Sequence, residues 1–142
     1  MKQRYEWDCF LCCITMAVDG DYDKLWLTTV DQKPPFNLGA LNFVQRMVEK
    51  RGIYGDDIDK AFGQAGLQKD VDYWRVPIYS TCIDCAKSML LGRRAILQAP
   101  SLNQEGGTHI VYWDGAQVHD PSPKQCYSWL QAMHLQYAWI LK

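Results

Sequence analysis

The strongest structural signal in this sequence is the dipeptide Asp114-Gly115, which lies between two apolar runs. Those runs, Thr108 to Trp113 and Ala116 to Asp120, contain the β-branched and aromatic residues that favour strands. An Asp-Gly pair in this position predicts a two-residue type I′ turn, which needs positive φ at both central residues. We therefore expect an antiparallel hairpin in which Trp113 pairs with Ala116.

This register would place His109 directly opposite Asp120 and leave His119 on the other face with Ile110. Directly opposed residues of an antiparallel pair share a face, with Cβ atoms about 4.5–5.5 Å apart. The carboxylate could then hold the imidazole in one tautomer and stabilise its cation, leaving the other ring nitrogen to serve a nucleophile. A cross-strand His–Asp pair by itself is equally an ordinary surface contact, so the chemistry requires a nucleophile from elsewhere in the chain.

The candidate nucleophile is Cys9, which follows Asp8 and begins an apolar run that extends to Val18. Asp8 is a suitable N-cap, and the run predicts a helix that is buried because nearly every face is apolar. A thiol at a helix start lies near unpaired backbone N–H groups and the positive end of the helix dipole, and both favour the nucleophilic thiolate. The alternative is a buried helix with an incidental cysteine, a residue type that is commonly buried.

An amide side chain, Gln3, precedes Cys9 by six positions and could donate a hydrogen bond to an oxyanion. An amide, a thiol at a helix start, an imidazole and an orienting carboxylate together make up the set that a Cys–His nucleophilic catalyst requires. The predicted catalytic residues are Gln3, Cys9, His109 and Asp120. His119 and His134 remain as substitutes for the base, although neither has a comparable partner that the sequence identifies.

The remaining elements follow a helices-first order. Helices are predicted at Asp21 to Val30, Asn37 to Lys50, Asp56 to Ala65 and from Ser80 or Thr81 to Leu91. Strands are predicted at Val71 to Tyr79, Ala95 to Ala99 and Leu135 to Leu141, with Pro77 marking an edge position. This order predicts an α+β fold with an antiparallel sheet, and the length of 142 residues fits a single domain over 1–142.

Charge and hydropathy exclude several classes of partner. The net charge is −1 with acidic and basic residues interleaved, so bulk charge does not favour nucleic acid or an anionic membrane surface. The longest apolar run, Phe10 to Val18, is about half of a membrane span. We expect a protein that stays in the cytoplasm, and the sequence leaves its oligomeric state undetermined.

Six cysteines could form three disulfides, but the absence of an export signal favours reduced thiols. The pairs Cys9-x2-Cys12 and Cys82-x2-Cys85 also imitate the spacing of a four-cysteine zinc site. Both pairs lie in helical patterns, whereas structural zinc pairs usually lie on tight turns. No metal or cofactor is therefore expected.

With these residues identified, the sequence resembles the papain-like cysteine peptidases and is most similar to the bacteriocin-processing peptidases that remove double-glycine leaders. In that family a Gln precedes the Cys by six positions, an Asp precedes it directly, the His begins a strand and an Asp-Pro closes the next strand. The matching segments here are Gln3, Asp8-Cys9, Gly107-Thr108-His109-Ile110-Val111 and His119-Asp120-Pro121. The usual Gly after the Cys is replaced by Phe10, and the small residue three positions after it by Cys12.

The resemblance implies a papain-like fold in which N-terminal helices, one of them central and buried, pack on a C-terminal antiparallel sheet. It also implies a peptide or isopeptide hydrolase of bacterial or phage type, with Cys9 as nucleophile, His109 as base, Asp120 as its orienting partner and Gln3 as oxyanion donor. The alternative is a catalytically inactive papain-fold module that binds a partner protein through its aromatic residues.

Overall fold

A computed structural model of the chain describes residues 1–3, 9–17, 54–64, 67–78, 83–128 and 134–142. In these ranges the helices are α1 (Cys9–Ala17), α2 (Asp56–Gln64) and α3 (Ile83–Leu90). The strands are β1 (Tyr73–Pro77), β2 (Ala95–Pro100), β3 (Thr108–Trp113), β4 (Val118–His119) and β5 (Tyr137–Leu141). No helix in the described parts of the chain has the length and hydrophobicity that crossing a bilayer requires.

The strands of the described residues form one antiparallel sheet in the order β1-β5-β2-β3-β4. β1 lies at an edge, as Pro77 predicts, because proline cannot donate to a second neighbouring strand. Short helices and an antiparallel sheet confirm the predicted α+β class. β2, β3 and β5 lie inside the sheet, which explains why their side chains are buried on both faces.

Each face of the sheet carries its own hydrophobic cluster. The cluster on the side of α1 and α2 contains Cys9, Phe10, Cys12, Cys13, Ala17, Ile58, Phe62, Tyr73, Ile96, Ile110, Tyr112 and Trp139. The cluster on the side of α3 contains Ile78, Ala86, Leu90, Ala95, Leu97, Ala99, Val111, Trp113, Tyr127, Leu135, Ala138 and Ile140. Residues that are adjacent along β3 belong to different clusters because side chains alternate across a strand.

Most predicted elements in the described ranges are present, with ends that differ by a few residues. The α1 and α2 helices begin at the predicted residues, and their predicted last residues, Val18 and Ala65, lie outside the described ranges. The strand at Thr108–Trp113 has the predicted bounds. Several predictions lie outside the described residues: the Asp8 cap and the helices at Asp21 to Val30 and Asn37 to Lys50.

The predicted register of the hairpin is wrong by two residues. Trp113 pairs with Val118 and Tyr112 with His119, so the loop contains four residues rather than two. The side chain of Asp114 explains the longer loop, because its Oδ1 accepts the backbone N–H groups of Ala116 and Gln117, each at 2.8 Å. Both N–H groups are therefore bonded within the turn, as is the N–H of Asp114, which donates to the carbonyl of Gln117 at 3.2 Å.

A slip of two residues keeps every side chain on its predicted face, because the side-chain period of a strand is two. Continued beyond β4, the observed register places Asp120 opposite Val111 rather than His109. His109 and Asp120 therefore become diagonal neighbours on one face instead of a directly opposed pair. His109 and Asp120 are therefore close to each other, as predicted, although they do not form the predicted cross-strand pair.

Candidate active site

The helix that carries Cys9 is fixed against the sheet at Cys13, its middle residue, and at Ala17. One turn after Cys9, the Cys13 thiol donates to the backbone carbonyl of Ile110 at 3.4 Å. At the other end, Nη1 of Arg94 donates to the carbonyl of Ala17 at 2.6 Å. A cation at this position satisfies an unpaired carbonyl and complements the helix dipole.

These contacts bring the start of α1 to the start of β3, where the Cys9 thiol and the His109 ring are hydrogen-bonded. The two residues are one hundred positions apart in the sequence. Cys9 is fully buried, and 8% of His109 is exposed. β4 pairs with β3 at Tyr112 and Trp113, so among the described strands none pairs with β3 at His109 on that side.

Asp120 holds the opposite side of the imidazole. Nε2 of His109 lies 2.6 Å from Oδ1 of Asp120, which leaves Nδ1 as the ring nitrogen that is available to Cys9. The backbone N–H of Ser122 donates to Oδ1 at 2.9 Å, and that of Tyr127 donates to Oδ2 at 2.7 Å. The carboxylate is therefore held in place by the loop that follows it, and it fixes the orientation of the ring.

The electrostatics of this group favour a charged imidazole. Burial opposes a positive charge on the ring, but hydrogen bonds to Asp120 and Cys9, together with their negative charges, raise the pKa of His109 to about 9. Burial likewise opposes ionisation of Asp120, but the hydrogen bond and charge of His109 lower the pKa of Asp120 below its ordinary value. At neutral pH the pair is thus an imidazolium and a carboxylate.

Cys13 differs from Cys9 in its chemistry. Burial, followed by the charges of neighbouring Cys9, Cys12 and Asp120, raises the pKa of the Cys13 thiol well above its ordinary value. Cys13 therefore remains a neutral thiol at physiological pH and acts as a structural donor to Ile110.

The N-terminal residues lie beside the loop that carries Asp120. The backbone N–H of Gln3 donates to the carbonyl of Pro121 at 2.6 Å. Nζ of Lys2 donates to the carbonyls of Asp120 and Ser122 at 3.1 and 3.0 Å. The structure thus places the backbone of Gln3 beside the loop that follows Asp120, while the donation of its side chain to an oxyanion stays a prediction.

Phe10, the residue that follows Cys9, is part of the core. Phe10 is fully buried, and its ring packs on Phe62 with centroids 6.0 Å apart. The aromatic side chain therefore fills space between α1 and α2.

Sequence reasoning missed Tyr54, which contacts the proposed nucleophile. Its side chain is hydrogen-bonded to Cys9 and packs against the cluster on the α1 side. Nothing in the local pattern could have identified it, because Tyr54 simply precedes an ordinary amphipathic helix.

The other two histidines have different surroundings. Nε2 of His119 is 2.6 Å from Oδ2 of Asp114 in the hairpin loop, a partner that the predicted register did not provide. His134 is exposed. Neither belongs to the Cys9 site.

In the described ranges, no group of three or more His, Cys, Asp or Glu residues is arranged to hold a metal ion. Cys82, which the zinc alternative requires, lies outside them, and the described cysteines form no disulfide with one another. Comparisons of the chain with models of protein families, with curated proteins and with solved structures find no match.

Proposed function

We propose that this protein is a cysteine peptidase-like hydrolase that cleaves a peptide or isopeptide bond through a Cys9–His109–Asp120 triad. The observation that carries the proposal is the continuous hydrogen-bonded series from the Cys9 thiol through the His109 ring to Asp120. The three residues come from a helix start, a strand start and the end of a hairpin. A thiol, an imidazole and an orienting carboxylate in contact are the parts that nucleophilic acyl transfer requires.

In this mechanism the Cys9 thiol has given its proton to Nδ1 of His109 before the substrate binds, and the thiolate sulfur attacks the substrate carbonyl carbon. The resulting oxyanion receives hydrogen bonds from the Gln3 amide and from the Cys9 backbone N–H, one of the groups that a helix start leaves without an intrahelical partner. Collapse of the tetrahedral species breaks the carbon–nitrogen bond, and the His109 imidazolium protonates the leaving amine. Water, deprotonated by His109, then hydrolyses the thioester and restores the thiolate–imidazolium pair.

The resemblance to papain-like peptidases supports the same assignment, because the helix that begins at Cys9 packs against the strand that carries His109. A papain-like fold is the finer description that we propose for this α+β domain. We propose a protein or peptide as its substrate and the cytoplasm as its location.

The burial of Cys9 favours a second candidate function. Its sulfur has no exposed surface, so a substrate carbonyl reaches it only when covering residues move aside. A papain-like domain that uses the fold to bind a partner protein, without turnover, would tolerate such a closed site.

Alkylation by iodoacetamide, followed by peptide mass spectrometry that resolves each cysteine, distinguishes these candidates. The exposed Cys85 serves as an internal reference for a solvent-accessible thiol. If the triad is functional, we expect Cys9 to react faster than Cys85 near neutral pH despite its burial, and this advantage to disappear in His109→Ala. Equal or slower labelling of Cys9, unaffected by His109→Ala, would support the binding module.

Turnover is then measured with fluorogenic peptides. Cys9→Ala is expected to abolish hydrolysis, and Gln3→Ala to lower its rate by about 10²–10³, as the loss of one oxyanion donor does. Hydrolysis by Cys9→Ala at the wild-type rate would exclude the proposed nucleophile.

A further inference from the structure

Tyr54 is a second side chain on the Cys9 sulfur. It lies two residues before α2, packs against the cluster on the α1 side, and is hydrogen-bonded to Cys9 through its side chain. Among the described residues, the sulfur is thus hydrogen-bonded to the imidazole of His109 and to the phenol of Tyr54. The proposed triad gives a role only to the imidazole.

The backbone around Tyr54 is held by the sheet. Its carbonyl accepts the N–H of Asp57 at 3.1 Å, and the N–H of Gly55 donates to Oε1 of Gln98 at 2.7 Å. Gln98 is buried in the inner strand β2, and its Nε2 donates to Oε1 of Gln136 at 2.9 Å. A buried amide whose two ends are both bonded is a rigid support.

The helix that follows Tyr54 is also tied to the sheet, through Asp59. Its Oδ1 accepts the Trp139 indole N–H at 3.2 Å and the Tyr73 hydroxyl at 2.9 Å. Its Oδ2 accepts Nη1 of Arg75 at 2.7 Å. These bonds, with that of Gly55, fix the Tyr54 ring relative to α1, which packs on the same face of the sheet.

The phenol remains protonated at physiological pH. Burial, followed by the charge of Cys9 and the hydrogen bond to it, raises the pKa of Tyr54. A phenol that keeps its proton donates to a thiolate rather than accepting from a thiol. Such donation stabilises the thiolate and makes it a weaker intrinsic nucleophile.

We propose that Tyr54 is a further catalytic residue of this site, whose hydroxyl donates a hydrogen bond to the Cys9 thiolate and stabilises the nucleophile in its charged form. The assignment rests on the proposed function, since it gives the stabilised thiolate a reaction to perform. Together, His109 and Tyr54 supply the donors that a charged sulfur needs when it is buried.

The test compares wild type with Tyr54→Phe, which keeps the ring and removes only the hydroxyl. Tyr73→Phe is the matched control, because it also removes one buried hydroxyl while Asp59 keeps its bonds from Arg75 and Trp139. Two quantities are followed against pH in the full chain: the Cys9 alkylation rate with iodoacetamide, and thiolate ultraviolet absorbance taken as the difference from Cys9→Ala. Unlike alkylation, the absorbance measurement does not require a reagent to reach the buried sulfur.

We expect Tyr54→Phe to move both midpoints up by about one pH unit, as the loss of a donor to the charged form does. Since thiolate reactivity rises with a Brønsted slope of about 0.4–0.5, alkylation should become roughly 3-fold slower well below the midpoint and roughly 3-fold faster on the alkaline plateau. The two rate profiles therefore cross. A merely structural defect would instead change the alkylation rate in the same direction at every pH.

Profiles of Tyr54→Phe that superimpose on wild type, or a shift of the same size in Tyr73→Phe, would overturn the inference. The His109→Ala variant separates this outcome from failure of the proposed function. Should His109→Ala leave Cys9 unchanged while Tyr54→Phe shifts its midpoint, the triad is wrong and the contact of Tyr54 with the thiolate stands. If His109→Ala shifts the Cys9 midpoint and Tyr54→Phe does not, the triad is supported and the role of Tyr54 is rejected.

Discussion

At the scale of single residues, His109 connects the thiol and the carboxylate. Its Nε2 is committed to Asp120, and that carboxylate is itself held by the backbone N–H groups of Ser122 and Tyr127. The ring therefore has one orientation and one charge state that the surroundings favour. Because the raised pKa depends on Asp120, the protonation of His109 should respond to that carboxylate.

A pH titration of the His109 ring by NMR measures this dependence. We expect the ring to lose its proton at a pKa of about 9 in wild type, and at lower pH in Asp120→Asn, where the negative charge is absent. Hydrolysis should fall on the alkaline side over the same range, because only the imidazolium can protonate the leaving amine. In Asp120→Asn the fall should come at lower pH.

The matched control for this titration is Asp114→Asn. Asp114 and His119 form a second pair with the same 2.6 Å separation, but in the exposed hairpin loop. Asp114→Asn should leave the pKa of His109 at its wild-type value. Two results would contradict the assigned role of Asp120. One is a His109 pKa at the ordinary value of about 6.5 in wild type, and the other is the same His109 pKa in both variants.

At the scale of elements, the hairpin loop sets the position of Asp120 relative to His109. Gly115 has a φ of +105° and is buried against the turn that follows α3, where its carbonyl accepts the N–H of Gly92 at 2.8 Å. A Cβ on Gly115 would lie 3.3 Å from the carbonyl carbon of Gly92. Both the backbone conformation and the close approach therefore favour glycine.

Gly115→Ala should lower the free energy of unfolding by about 1–3 kcal/mol, the usual cost of holding a side chain in such a conformation. Urea denaturation followed by tryptophan fluorescence measures this change. Gly106, which also has positive φ but has open space around its Cβ position, provides the comparison. A smaller loss in Gly115→Ala than in Gly106→Ala would show that the contact with Gly92 adds nothing.

At the scale of the whole molecule, Cys9 lies in one of two separately packed layers, while Tyr127, whose N–H holds the Asp120 carboxylate, belongs to the other. Cys9 and the helices α1 and α2 contribute to the cluster on one face of the sheet, while α3 covers the other. Inner strands buried on both faces separate the two layers. A cavity made on the α3 side should therefore reduce stability without disturbing the nucleophile.

Leu90→Ala tests this separation, since Leu90 is fully buried in α3. Truncating a buried leucine costs on the order of 2–5 kcal/mol in unfolding free energy, which urea denaturation measures. The midpoint of the Cys9 thiolate absorbance should stay at its wild-type pH. A shift as large as that caused by Tyr54→Phe would show that the two layers are coupled.

The sequence by itself determined the class of the fold, the strand that carries His109 and the face that this residue shares with Asp120. The spacing of apolar residues and the turn residues encode such features locally. Because side chains alternate with a period of two, a register slip of two residues leaves each side chain on its predicted face. The register itself depended on the Asp114 side chain, which accepts two backbone N–H groups, and on the docking of Gly115 against Gly92. The two-residue type I′ turn, from which the register was predicted, includes neither of these contacts.

Only the tertiary structure decided that Cys9, His109 and Tyr54 meet. The contact between Cys9 and His109 depends on how α1 packs, through Cys13 on Ile110 and Arg94 on Ala17. The contact of Tyr54 depends on a buried amide, Gln98, that holds the backbone before α2. These are contacts between segments far apart in the chain, so they arise from the complementary shapes and donors of a packed core, which no local pattern specifies.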